Sequence, residues 1–180
     1  MTDAAKPEQQ LPLFPDPTST EAPPRIRPWR TTVDDRRPES EVTLGDLELL
    51  HTDLVRRDRE FLKALSRAGV PPDSPAVQRF HEQEFLLLGN LALLRQGAVE
   101  EIEVPEVTRI TRRTAEGLAE IRREILAGLD PVQRERALAA EARVRIDDQE
   151  IDQALLPVSR LLAEKRAEIA EGKQSRGEEE

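Results

Sequence analysis

"TLGDLELLHTDLVRRDREFLKALSRAG", Thr43 to Gly69, is the stretch that decides the fold. Thr43 with Asp46 three residues on has the spacing of a capping box, in which each side chain accepts a backbone N–H that the first helical turn leaves free. Leu47, Leu50, Leu54, Phe61 and Leu65 then recur at three-to-four spacing, along one face of a helix. Gly69, Pro71 and Pro72 stop it, since glycine accepts the left-handed backbone that closes a helix and proline cannot continue one. A long helix with one apolar face needs other helices to cover that face.

The rest of the chain supplies them. "DSPAVQRF" places Ser74 as cap and Pro75 at the first helical position, and the helix runs on through "EFLLLGNLALLRQG". Phe85 to Leu94 is apolar on almost every side, so this second helix is expected to be the most buried, with Phe61, Phe80 and Phe85 as the core aromatics. "AVEEIEVPEV" fits neither helical nor strand period and reads as a loop broken by Pro105. A third helix follows, with Val107, Ile110, Thr114, Leu118, Ile121 and Ile125 as a heptad-like stripe and Gly128 as its stop.

Asp130 and Pro131 open a fourth helical region carrying Leu138, Val144, Ile151, Leu155, Val158, Leu162 and Ile169. It should kink or break at one of two places. Asp147 with Glu150 can cap a new turn, and Pro157 removes a backbone donor at a cost of roughly 3 kcal/mol. No internal repeat of helical-repeat length is present. The expectation is an all-α fold, an antiparallel helical bundle or long helical hairpin over residues 43–171. A disordered arm, residues 1–42, precedes it, and a disordered acidic tail, residues 172–180, follows it.

Composition agrees with helices. Of 180 residues 35% are charged, 37% hydrophobic and only 3% aromatic, with few strand formers. The net charge of −9 repels nucleic acid and anionic lipid, so DNA binding would need a local basic patch. Cysteine is absent, which excludes disulfides, thiolate metal sites and cysteine nucleophiles. Neither a signal peptide nor an apolar run of membrane-spanning length occurs, so the protein is expected in the cytoplasm, with no membrane partner.

No catalytic constellation stands out. His51 and His81 belong to no paired metal-binding motif and read as partly exposed polar residues; His81 with Glu84 shares a helix face but lacks further ligands. Phosphate loops and nucleophile elbows are missing. No metal, no cofactor and no enzymatic activity is expected. Arg109, Arg112 and Arg113 in "TRITRRT" are candidate DNA contacts near the start of the third helix, where a recognition helix reads bases. Against that, Glu106, Glu116 and Glu120 flank them at helical spacing, as on a salt-bridged surface.

The arm holds the strongest functional signal. It carries eight of the fourteen prolines and no helical or strand period, yet "QQLPLFPDP" gathers Leu11, Leu13 and Phe14. A compact apolar cluster in a segment that cannot bury it is the form of a binding peptide. Gln10-Leu11-Pro12-Leu13-Phe14 resembles the Gln-Leu-x-Leu-Phe motif by which bacterial replication and repair proteins dock on the DNA polymerase sliding clamp, its β subunit. The resemblance spans five residues and all four specified positions. It implies that Leu13 and Phe14 fill the clamp's main hydrophobic pocket, that Leu11 packs nearby and that Gln10 hydrogen-bonds beside them. Arg25, Arg27 and Arg30 around Trp29 form a basic, aromatic island that is a candidate secondary contact with the clamp or with DNA.

Two functions follow as expectations. One is a non-enzymatic accessory protein that docks on the clamp and brings a second protein partner, or weakly DNA, through its helical body. The other is an acidic helical scaffold that self-associates through its heptad-like stripes.

Overall fold

The computed structural model describes residues 37–177. Five α-helices follow one another: α1 (Leu44–Arg67), α2 (Pro75–Arg95), α3 (Val104–Gly128), α4 (Pro131–Glu141) and α5 (Asp148–Gly177). Short 3-10 turns at Glu39–Glu41 and Glu101–Glu103 precede α1 and α3, and the described residues contain no strand. The all-α bundle expected from the sequence is what forms.

The capping box at Thr43 is complete. Thr43 Oγ1 accepts from the Asp46 N–H at 3.1 Å, and Asp46 Oδ2 accepts from the Thr43 N–H at 3.1 Å and its hydroxyl at 2.9 Å. The backbone hydrogen bond, ahead of Arg37 and the Thr43 hydroxyl, holds the Asp46 carboxyl below its ordinary pKa. At the far end Gly69 takes φ +76°, the Val70 N–H returns to the Leu65 carbonyl and the Gly69 N–H to that of Ser66, the reciprocal pattern that satisfies the last carbonyls of a helix. Gly97 (φ +63°) repeats it after α2, with Ala98 bonded to Leu93 and Gly97 to Leu94. The end of α3 is closed differently: Arg134 of α4 reaches back to the Leu126, Ala127 and Leu129 carbonyls.

Ion pairs fix the directions. Arg59 with Glu84 and Arg95 with Glu48 make α1 and α2 antiparallel, and Arg79 with Glu124 makes α2 and α3 antiparallel. Helix α4 then lies on α1, and α5 on α2. The core is aliphatic: Leu47, Leu54, Val55, Leu87, Leu91, Leu118 and Ile151 are buried around the Phe61 and Phe80 rings, which stand 5.3 Å apart and tilted by 56°. Arg122 of α3 lays its guanidinium 4.7 Å from the Phe61 centroid while pairing with Glu141 of α4 at 2.6 Å. The Phe61 ring thus meets α2 and α3, and Arg122 extends the link to α4.

Several expectations need correcting. Phe85 and Leu86 are exposed, because α2 already offers Phe80, Leu87, Leu88 and Leu91 to its neighbours and has an outer side. Pro105 breaks nothing; it sits in the first turn of α3, where its missing N–H costs no helical hydrogen bond. The buried heptad of α3 is Val104, Thr111, Leu118 and Ile125, rotated from the expected stripe, and Ile110 is exposed. The rotation is possible because Thr108 donates its hydroxyl to the Val104 carbonyl, and the Thr111 hydroxyl, 2.8 Å from the Val107 carbonyl, also meets His51 of α1.

The fourth region divides at Asp147 and not at Pro157. Asp147 Oδ1 accepts from the Glu150 N–H at 2.8 Å, while Val144 and Ile146 of the connection are buried. Pro157 stays inside α5, on its exposed side. Folded structure also reaches back beyond Thr43: Val42 is buried, and Glu39–Glu41 is held on α3.

Candidate functional site

Gln10, Leu11, Leu13 and Phe14, and the island of Arg25, Arg27, Trp29 and Arg30, lie outside the described residues. The three α3 arginines are engaged differently. Arg112 is half-buried, its Nη1 donating to Glu39 at 3.0 Å and its Nη2 to the Arg37 carbonyl at 2.8 Å. It fastens the segment before α1 to α3. Arg109 pairs with Glu106 on the same helix, and Arg113 is exposed. Of the three, Arg112 therefore has a structural task that its position in the sequence did not reveal.

Of the two histidines read as partly exposed, His81 is exposed and His51 is not. His51 is fully buried between α1 and α3. Its Nδ1 lies 2.9 Å from the Leu47 carbonyl, an acceptor, so Nδ1 carries the proton; Nε2 is then the acceptor facing Thr111 Oγ1 at 3.0 Å. Burial pushes the His51 pKa down to about 4, against a smaller opposing effect of the Leu47 hydrogen bond. The ring is neutral at physiological pH and serves as a polar rivet.

Asp58 of α1 and Glu84 of α2 are buried as well, at 3% and 1% exposure. Arg57 Nε stands 3.7 Å from Asp58 Oδ1, and Asp58 Oδ2 has no hydrogen-bond partner. Arg59 Nε approaches Glu84 Oε1 to 2.6 Å, but the N–H does not align on the oxygen, and both atoms lack a hydrogen bond. His81 Nδ1 stands 3.5 Å from the other Glu84 oxygen. Burial raises the Asp58 pKa to about 7, with a further push from the Glu84 charge and an opposing pull from Arg57 and Arg122. Glu84 is also raised by burial, against Arg59 and His81.

Above this layer an open cleft of about 570 Å³ runs between α1, α2 and α5, with Arg59, Lys63, His81, Glu150, Leu62 and Pro157 on its walls. Lys63 and Glu150 pair across it at 2.7 Å. Among the described residues no three His, Asp or Glu side chains converge as metal ligands. His81 and Glu84 form a two-member set whose carboxylate already faces a guanidinium, an arrangement unsuited to a cation. A second cleft of about 470 Å³ lies where the α1–α2 turn meets the end of α3, between Arg79, Glu124, Ile125 and Leu129.

No family model, curated protein or solved structure matches this chain. None of the described helices is long and apolar enough to cross a membrane.

Proposed function

We propose that this protein is a non-enzymatic, cytoplasmic accessory factor that docks on the bacterial DNA polymerase sliding clamp through Gln10, Leu11, Leu13 and Phe14. The observation that carries the proposal is the pentapeptide itself, which meets all four specified positions of the motif inside a proline-rich segment without helical period. Two large apolar side chains entering a pocket contribute about 1.5 to 3 kcal/mol each, which less the cost of ordering the peptide gives micromolar affinity. Trp29 with Arg25, Arg27 and Arg30 would add a secondary contact on the clamp or on DNA. The helical body would hold the second protein partner.

Calorimetric titration of a bacterial sliding clamp with the full chain, and with the Leu13→Ala, Phe14→Ala variant, tests this. Micromolar binding that the double substitution removes is the expected result. Absence of binding by the unaltered chain refutes the assignment.

A second reading, a self-associating helical scaffold, has one observation in its favour: every residue of α5 from Ala163 to Ala170 is exposed, Ile169 among them. A helix that leaves its bundle gains nothing from packing unless another chain covers it. Light scattering of the full chain separates the readings, since a stable oligomer is required by the scaffold and not by clamp docking.

A further inference from the structure

Asp58 of α1 and Glu84 of α2 are both buried, and the Glu84 charge works against ionisation of Asp58. Among the described residues, the charged groups that meet them come from three helices. From α1 come Arg57 and Arg59, from α2 His81, and from α3 Arg122, which is itself engaged with Glu141 of α4 and with the Phe61 ring. None of these gives the carboxyls what two buried anions need. Arg57 is at 3.7 Å, Arg59 is close but misaligned, and one oxygen on each carboxyl goes without a hydrogen bond. Two charges held so poorly in a dry interface repel each other and are each short of solvation.

We propose that the Asp58–Glu84 carboxyl pair is a proton-binding site of the folded bundle, holding one proton taken from solvent at neutral pH and tying the α1–α2 contact to proton concentration. Uptake converts one buried carboxylate to a neutral carboxyl, which removes the repulsion and leaves the guanidiniums a single anion to neutralise. The site is independent of the arm and of clamp docking.

Linkage gives the sign. The folded state holds this proton more tightly than the unfolded chain, so the stabilisation is complete below the ordinary carboxyl pKa and fades as pH rises through about 7. His51 works in the opposite sense: its stabilising contribution is present above the ordinary histidine value and fades as pH falls toward about 4. In the window they share the two slopes offset each other, so the stability of the unaltered protein alone does not report the pair.

The test is therefore a difference. Unfolding constants of the full chain and of Asp58→Asn, a neutral mimic of the protonated acid, are measured by denaturant titration from pH 4.5 to 8. Their ratio, unaltered over variant, should rise by up to tenfold per pH unit and level off above about pH 7. A ratio that does not change with pH overturns the proposal. Should the variant fail to fold, infrared spectroscopy of the unaltered protein decides. At pH 6 ordinary carboxyls are ionised, so a carboxylic acid carbonyl band present at pH 6 and lost by pH 8.5 is the expected result. No such band refutes the pair as a proton site, as does a band that survives in both folded Asp58→Asn and Glu84→Gln variants.

Discussion

Phe61 is the position at which the packing can be tested most sharply. Its ring is 1% exposed, touches Phe80 across the α1–α2 interface and lies beneath the Arg122 guanidinium. Phe61→Ala removes the whole side chain from the buried core and should cost about 3 to 5 kcal/mol. Phe61→Leu keeps most of the apolar fill and loses only the interactions that need a ring. The tilted aromatic pair contributes about 0.5 to 1.5 kcal/mol beyond burial, and a partly desolvated guanidinium over a ring about 1 kcal/mol. The leucine variant should therefore lose about 2 kcal/mol.

A double-mutant cycle with Arg122→Met isolates the cation's part. Methionine retains an apolar stem over the ring, and the loss of the Glu141 pair and of the charge near Asp58 occurs in both arms and cancels. Urea unfolding at a single pH, followed by far-ultraviolet circular dichroism, gives the four stabilities. A coupling of about 1 kcal/mol is expected. A coupling near zero, or a leucine variant about as stable as the unaltered protein, would mean that Phe61 contributes only volume and that its ring makes no specific contact with Phe80 or Arg122.

Two further changes act on helix ends and interiors. Thr43→Ala removes the acceptor for the Asp46 N–H and the partner of its carboxyl, and should lower stability by about 1 kcal/mol in thermal unfolding; an unchanged Tm would show the capping box to be idle. Pro157→Ala restores an N–H for the Gln153 carbonyl on the exposed side of α5 and should stabilise by up to about 3 kcal/mol, seen as a higher Tm; a fall in Tm would show that the proline ring is packed and needed in the adjoining cleft.

Local signals in the sequence were read correctly where the physics is local. The Thr43 capping box, the glycine closure after α1, the Asp130 cap and the new start at Asp147 each depend on a few neighbouring atoms. What the sequence hid was decided by other helices. Ile110 looked like a core residue and Thr111 lay outside the expected stripe, but Thr111 is buried against His51 on α1 and Ile110 is exposed. His51 read as partly exposed because it is polar, and for the same reason neither Asp58 nor Glu84 stood out as a core position. Their positions argued otherwise: Asp58 lies four residues after Leu54 and three before Phe61, inside the apolar stripe, and Glu84 stands likewise between Phe80 and Leu87. A polar residue in phase with the core is the signal that would have found the buried layer. Arg112 left no such trace, since its partners at Arg37 and Glu39 are remote in sequence.

That fastening also acts as the fixed end of a leash. The chain is pinned at Arg37 by Asp46 and, through its carbonyl, by Arg112, so anything held by Leu13 and Phe14 is limited by the covalent length that remains. From Phe14 to Arg37 a polypeptide spans at most about 80 Å, however it is arranged. A clamp seated on the motif would thus confine the helical body to a sphere of that radius around one pocket. Cutting the pin at Arg112 would lengthen the leash by a few residues and dilute the body's local concentration at the clamp without touching the motif.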